Sequence, residues 1–143
     1  MIKRSTMFEM RILLLAVVFA MMACNNNNTG TTNASPDAIS DFLLDGEGLI
    51  ISLFKEDTED ETSYFEGYVF LFGVNGTVSA SNGTMTVDGT YFVFRDDGRT
   101  ELAMDFPSVD NFDELDDDWY FISINQNTIR FDDDGDVLEF QQR

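Results

Sequence analysis

Five dipeptides, Asn75-Gly76, Asn82-Gly83, Asp88-Gly89, Asp97-Gly98 and Asp134-Gly135, punctuate the second half of this chain and constrain its fold more than any other feature. A two-residue type I′ turn needs positive φ at both central positions, which Asn, Asp and Gly tolerate best, so repeated dipeptides of this kind predict antiparallel hairpins. The segments they leave read as strands: Gly48 to Lys55, Tyr64 to Gly73, Thr77 to Ser81, Thr84 to Val87, Thr90 to Arg95, Glu101 to Phe106, Trp119 to Asn125, Thr128 to Asp132 and Val137 to Gln141. Two of these read equally as one bulged strand.

Alternation sorts the faces. Leu102, Met104 and Phe106 alternate with Ala103 and Asp105, Ile129 and Phe131 flank Arg130, and Leu138 and Phe140 alternate with Glu139 and Gln141. Each of these strands has one wet face. In Tyr64 to Phe72 both faces are apolar, Tyr68, Phe70 and Phe72 on one and Val69 and Leu71 on the other, which predicts a strand covered on both sides. Hairpin-linked strands with little helix predict an all-β fold, a small antiparallel up-and-down β-barrel of about eight strands, because closure removes exposed edges. Ser35-Pro36-Asp37 followed by Ala38, Ile39, Phe42 and Leu43 predicts a short N-terminal helix, either plugging a barrel end or packing outside it. Phe112-Asp113-Glu114-Leu115 suits a single further turn.

Ahead of this part, Lys3, Arg4 and Arg11 precede the unbroken apolar run Ile12 to Ala23, and the single cysteine of the chain, Cys24, follows directly. That is the layout of a secretion signal over residues 1–23. Twelve apolar residues fall short of the roughly 20 that a transmembrane helix needs. A cleaved signal with an incidental cysteine is the plainer alternative to a lipid attachment point. Residues 24–36 contain Asn25 to Ser35, with no apolar residue larger than alanine, and read as a disordered tether before a folded domain of residues 37–143.

Removing residues 1–23 takes away three basic residues and one acidic one, so the net charge moves from −19 to −21. Such a surface repels phosphate backbones and anionic headgroups, so no nucleic acid is expected as a partner. With no histidine and one cysteine, Ser-His-Asp and Cys-His catalysis, histidine-bound zinc and intrachain disulfides are excluded. The expectation is a monomeric binding protein without a cofactor, not an enzyme.

Met21-Met22-Ala23-Cys24 resembles the lipobox of bacterial lipoproteins, in which Leu, a small residue, and Gly or Ala precede the cysteine; Ala23-Cys24 fits and the two methionines depart. The resemblance implies lipidation of Cys24 and a lipid bilayer as partner. Since Asn25, not aspartate, follows the cysteine, it also implies a cell-envelope location at the outer membrane. From Tyr64 to Phe140 the chain resembles the lipocalin-like domains of Bacteroidetes and flavobacterial lipoproteins. The resemblance runs through Phe65 to Phe72, Asn75 to Val78, Gly89 to Val93, Phe112 to Trp119 and Asp136 to Phe140. Such domains commonly open with a Gly-x-Trp strand and carry a Gly-Thr-Trp strand. Here Gly46-Glu47-Gly48-Leu49 and Gly89-Thr90-Tyr91 stand in those places. The resemblance implies a small barrel able to hold an apolar ligand, with no family activity to carry over.

Among candidate sites, Asp132-Asp133-Asp134-Gly135-Asp136 invites comparison with a calcium loop. Counting back from Gly135 puts Arg130 where the first carboxylate belongs, and Gln141 stands where the bidentate glutamate belongs, so a solvated hairpin explains the run better. Glu56 to Glu61 and Asp113 to Asp118 read as solvated acidic loops. The aromatic set Tyr68, Phe70, Phe72, Tyr91, Trp119 and Phe121 has two readings, since an eight-stranded interior is just wide enough to be filled by side chains or to hold one small ligand. The first function reading is therefore a carrier of a small hydrophobic molecule lined by those residues. The second is an interaction module with a solid core, whose acidic rim or second apolar face on Tyr64 to Phe72 docks a partner.

Overall fold

A computed structural model of the protein describes residues 33–143; Cys24 and the signal segment lie outside the described residues. A helix, α1 (Pro36–Leu44), precedes the strands β1 (Leu49–Glu56), β2 (Glu59–Asp60), β3 (Val69–Phe72), β4 (Thr77–Ser81), β5 (Thr86–Asp96), β6 (Arg99–Asp105), β7 (Asp118–Ile124), β8 (Thr128–Asp133) and β9 (Asp136–Gln142). Each of β3 to β8 pairs antiparallel with the next, and β1 pairs with both β3 and β9. The result is a closed eight-stranded up-and-down barrel, with the two-residue β2 as a short arm on β1. The all-β barrel read from the sequence is the observed architecture.

Turn chemistry explains the hairpins, although at Asn75-Gly76 and Asn82-Gly83 only the glycine has positive φ, so those loops are not type I′ turns, and two strand assignments also differ from the sequence reading. Asp97-Gly98 and Asp134-Gly135 have positive φ at both residues, as a type I′ turn demands, and Asp57-Thr58 does the same without a glycine. Asp88-Gly89 is not a turn. Both residues lie inside β5, which joins the two expected strands Thr84 to Val87 and Thr90 to Arg95 in continuous register with β4. A Cβ on Gly89 would lie 2.6 Å from the Asp105 carbonyl oxygen and 2.6 Å from the Phe106 ring. The glycine therefore serves close approach, not reversal.

The second difference is in Tyr64 to Gly73. Thr62–Phe65 forms a 3-10 turn, Gly67 takes φ +85°, and only Val69–Phe72 joins the sheet. Nor is β3 covered on both sides: Phe70 and Phe72 point into the barrel, whereas Leu71 is 53% exposed on the outside.

Both poles are closed. Ser35 caps α1 by accepting a hydrogen bond from the Ala38 N–H (3.3 Å), and Ile39, Phe42 and Leu43 are buried in the barrel's own core cluster, so α1 plugs one end. The folded part begins by Ala34, which is buried and whose carbonyl accepts from Thr100 Oγ1 (2.6 Å). At the other pole Phe65, Phe112 and Leu115, from the two 3-10 turns, are fully buried.

Gly89→Ala should cost about 2–3 kcal/mol, because neither the Asp105 backbone nor the Phe106 ring can give way cheaply. Gly98→Ala, where φ is +83° but the surrounding space is open, should cost only about 1 kcal/mol. Denaturant midpoints of the two variants check the order; equal costs would mean that the contact at Gly89 is not made.

Candidate functional site

The six aromatic residues singled out above do not converge on one site. Phe70 packs edge-on against Phe65, Phe106 and Phe140 and tilted against Phe112, with ring centroids 5.5 to 6.3 Å apart. Phe72 meets Tyr91 at 4.9 Å and Phe140 at 5.6 Å. Trp119 meets Phe54 at 6.1 Å, and its Nε1–H donates to the Leu115 carbonyl (3.0 Å). Phe54 to Trp119 and Phe70 to Phe106 are contacts between strands three apart round the barrel, or the residue just beyond, so rings reach each other across the interior. Tyr91 is partly buried, its hydroxyl donates to the Gly73 carbonyl (2.9 Å), and burial holds its phenol above the ordinary range. Phe121, also partly buried, packs on Phe131 at 6.3 Å.

Tyr68 differs from the other five. It packs edge-on against Phe112 (5.1 Å) but also lines a surface cleft of about 440 Å³, together with Ile50, Ile51, Asp60, Thr62, Ser63, Phe65, Glu66 and Gly67. The cleft marks where the β1–β3 seam parts. Those strands pair at a single register, Leu49↔Phe70, next to Gly48, whose missing Cβ leaves room for Val69 and the Phe70 carbonyl. Farther along β1, Thr62 takes the place of a strand partner: the Phe54 N–H donates to Thr62 Oγ1 (2.9 Å), and the Phe54 carbonyl accepts from the Glu61 N–H (2.9 Å). Asp60 fixes Thr62, accepting from its Oγ1 (2.7 Å) and its N–H (3.1 Å), and these bonds hold the Asp60 carboxyl below its usual range. Ile50, Ile51, Thr62 and Ser63 were missed from sequence because Tyr64 to Gly73 reads as one strand; Gly67 inside that run was the available signal.

Around the same pole the acidic loops meet. The Asp57 N–H donates to Asp136 (2.8 Å), which ties the β1–β2 turn to the β8–β9 turn. Burial, a hydrogen bond with Glu114 and repulsion from Glu114, Glu61 and Asp136 push Glu56 up to about 7. Burial, a hydrogen bond with Asp117 and repulsion from Asp117, Asp134 and Asp136 push Asp133 up to about 6. Among the described residues no group of three or more His, Cys, Asp or Glu is arranged to hold a metal ion. The run Asp132 to Asp136 is a hairpin, with Asp133 paired to Asp136 across the turn.

No family model, curated protein or solved structure matches the chain.

Carboxyl groups whose folded-state pKa is raised bind protons more tightly in the native state. Their contribution is complete below the unfolded value and is lost as pH rises through the folded one, here from 4.5 to about 7 for Glu56 and from 3.8 to about 6 for Asp133. The melting temperature should therefore be higher at about pH 5 than at about pH 8, and Glu56→Gln should raise the value at the higher pH while leaving the lower one nearly unchanged. A melting temperature that climbs from pH 5 to pH 8 would contradict the carboxyl pairing.

Proposed function

We propose that this protein is a lipid-anchored interaction module of the cell envelope, held to the outer membrane through Cys24, with binding and not catalysis as its role. The observation that carries the module reading is the filled interior. Phe54 of β1 meets Trp119 of β7, and Phe70 of β3 meets Phe106 just beyond β6, across the space where a ligand would sit, with Phe72, Tyr91 and Phe140 packed beside them. Binding then belongs on the surface, and the parted β1–β3 seam offers a cleft of about 440 Å³ with apolar walls and a few polar groups.

Anchoring rests on the signal layout and on Cys24, and the contact between Ala34 and Thr100 starts the folded part about ten residues after the attachment point. For the tether that the composition of Asn25 to Ser35 predicts, coil statistics over ten residues give a root-mean-square reach of roughly 16–19 Å, enough to hold the barrel off the headgroups.

A carrier of a small hydrophobic molecule is the second reading. It is favoured by one observation: the cleft volume lies within the range of small-molecule sites, with Tyr68 on its wall.

Two measurements test the proposal. Cys24→Ser should abolish incorporation of labelled palmitate and release the protein from membranes; unchanged membrane retention would refute the anchor. A photo-crosslinking amino acid at position 50, on the cleft, should give a discrete protein adduct in intact cells, while one at position 122, on the outer wall of β7, should not. Loss of that contrast, together with a small molecule retained in the native mass spectrum, would favour the carrier.

A further inference from the structure

The cleft runs along the edge of a strand, not over a face. Ile50 and Ile51 are consecutive, and their side chains lie on opposite sides of β1, one half-buried on the outside and the other buried toward the core; both line the cleft. Its opposite wall is Glu66, Gly67 and Tyr68, the stretch leading into β3. Between Leu49, the one residue of β1 in register with β3, and Phe54, whose backbone is taken by Thr62 and Glu61, the β3-facing edge of β1 has no strand partner among the described residues. The opposite edge of β1 pairs with β9 along almost its whole length. The seam is therefore closed at the α1 pole and splayed toward the other.

The rim is acidic. Asp60 and Glu66 line the cleft and Glu61 follows Asp60 in the chain, while Lys55, in register with Asp60 across the β1–β2 arm, is a cation that acts on the Asp60 carboxyl. Beneath the rim the wall is apolar: Ile50, Ile51, Phe65 and Tyr68.

We infer that the cleft receives an extended peptide in which apolar residues alternate with Lys or Arg, added as a short strand between the parted edges of β1 and β3; this rests on the interaction-module reading above. Strand addition satisfies main-chain groups at an open edge, while alternate side chains supply specificity. Three or four residues at about 3.3 Å each span the splayed stretch. Apolar side chains of such a strand meet Phe65 and Tyr68, and the intervening cations meet Asp60 and Glu66, a complementarity that a peptide of opposite charge lacks.

The test uses the full lipidated chain in phosphatidylcholine nanodiscs, titrated with acetyl-Lys-Val-Lys-Ile-Lys-Val-amide and followed by amide NMR. Saturable shifts centred on Ile50 to Leu53 and Gly67 to Val69 are expected, with affinity falling as salt is raised. The Glu-for-Lys version of the peptide should bind at least about tenfold more weakly. A version N-methylated at its central residues should lose binding, since it lacks the donors a strand needs. Glu66→Lys, at an exposed residue, should weaken binding by about tenfold without changing the melting temperature. Equal affinity for the acidic peptide, undiminished binding of the N-methylated one, or shifts confined to other surfaces would overturn strand addition. If the peptides fail while the position 50 crosslink still forms, strand addition alone falls. If both fail, the module reading falls with it.

Discussion

Phe70 holds this barrel together in two ways at once. Its backbone is the partner of Leu49 at the single register that joins β3 to β1, so it is where the sheet closes on itself. Its side chain lies at the centre of the aromatic lattice, touching Phe140 on one wall, Phe106 beyond β6, and Phe65 and Phe112 from the turns that cap the pole. Edge-to-face aromatic pairs of this kind each add about 0.5–1.5 kcal/mol beyond the area they bury. A seam with one ladder position is weak as hydrogen bonding, and the ring packing behind it supplies the cohesion that the ladder lacks.

Splaying follows from the same place. Gly48 lets β1 approach Val69 and the Phe70 carbonyl closely, and beyond the Leu49 pair the strands separate because Gly67 turns the chain out of the extended conformation and the 3-10 turn Thr62–Phe65 sends Phe65 into the core. At the far end of the gap Thr62 and Glu61 take the Phe54 backbone in place of a strand, and Asp60 fixes Thr62. The gap is thus a built feature with its own hydrogen bonds. It opens toward the pole opposite the one where Ala34 enters the fold.

Much of this was legible in the residues, for physical reasons that differ from element to element. Asp97-Gly98 and Asp134-Gly135 predict hairpins because their φ requirements are local, and both are found. Ser35-Pro36 starts a helix by the same local logic. Asp88-Gly89 misleads because a glycine demanded by a neighbouring strand's carbonyl and a phenylalanine ring looks, in sequence, like a glycine demanded by a turn. Tyr64 to Gly73 misleads because apolar alternation continues through a 3-10 turn whose phenylalanine is also buried. The aromatic set was identified as interior, and Phe70, Phe72 and Trp119 are interior, but whether rings meet one another or line a void depends on distances between strands far apart in sequence. The cleft was invisible for the same reason, since its two walls come from stretches that only barrel closure brings together.

Placing function on the rim and not in the lumen depends on the interior being full. Crystals pressurised with xenon test this directly, because xenon enters dry apolar cavities that water leaves empty. The account predicts no xenon among Phe54, Phe70, Phe72, Trp119 and Phe140; an ordered xenon atom between those rings would contradict it and restore the interior as the place where a ligand is carried.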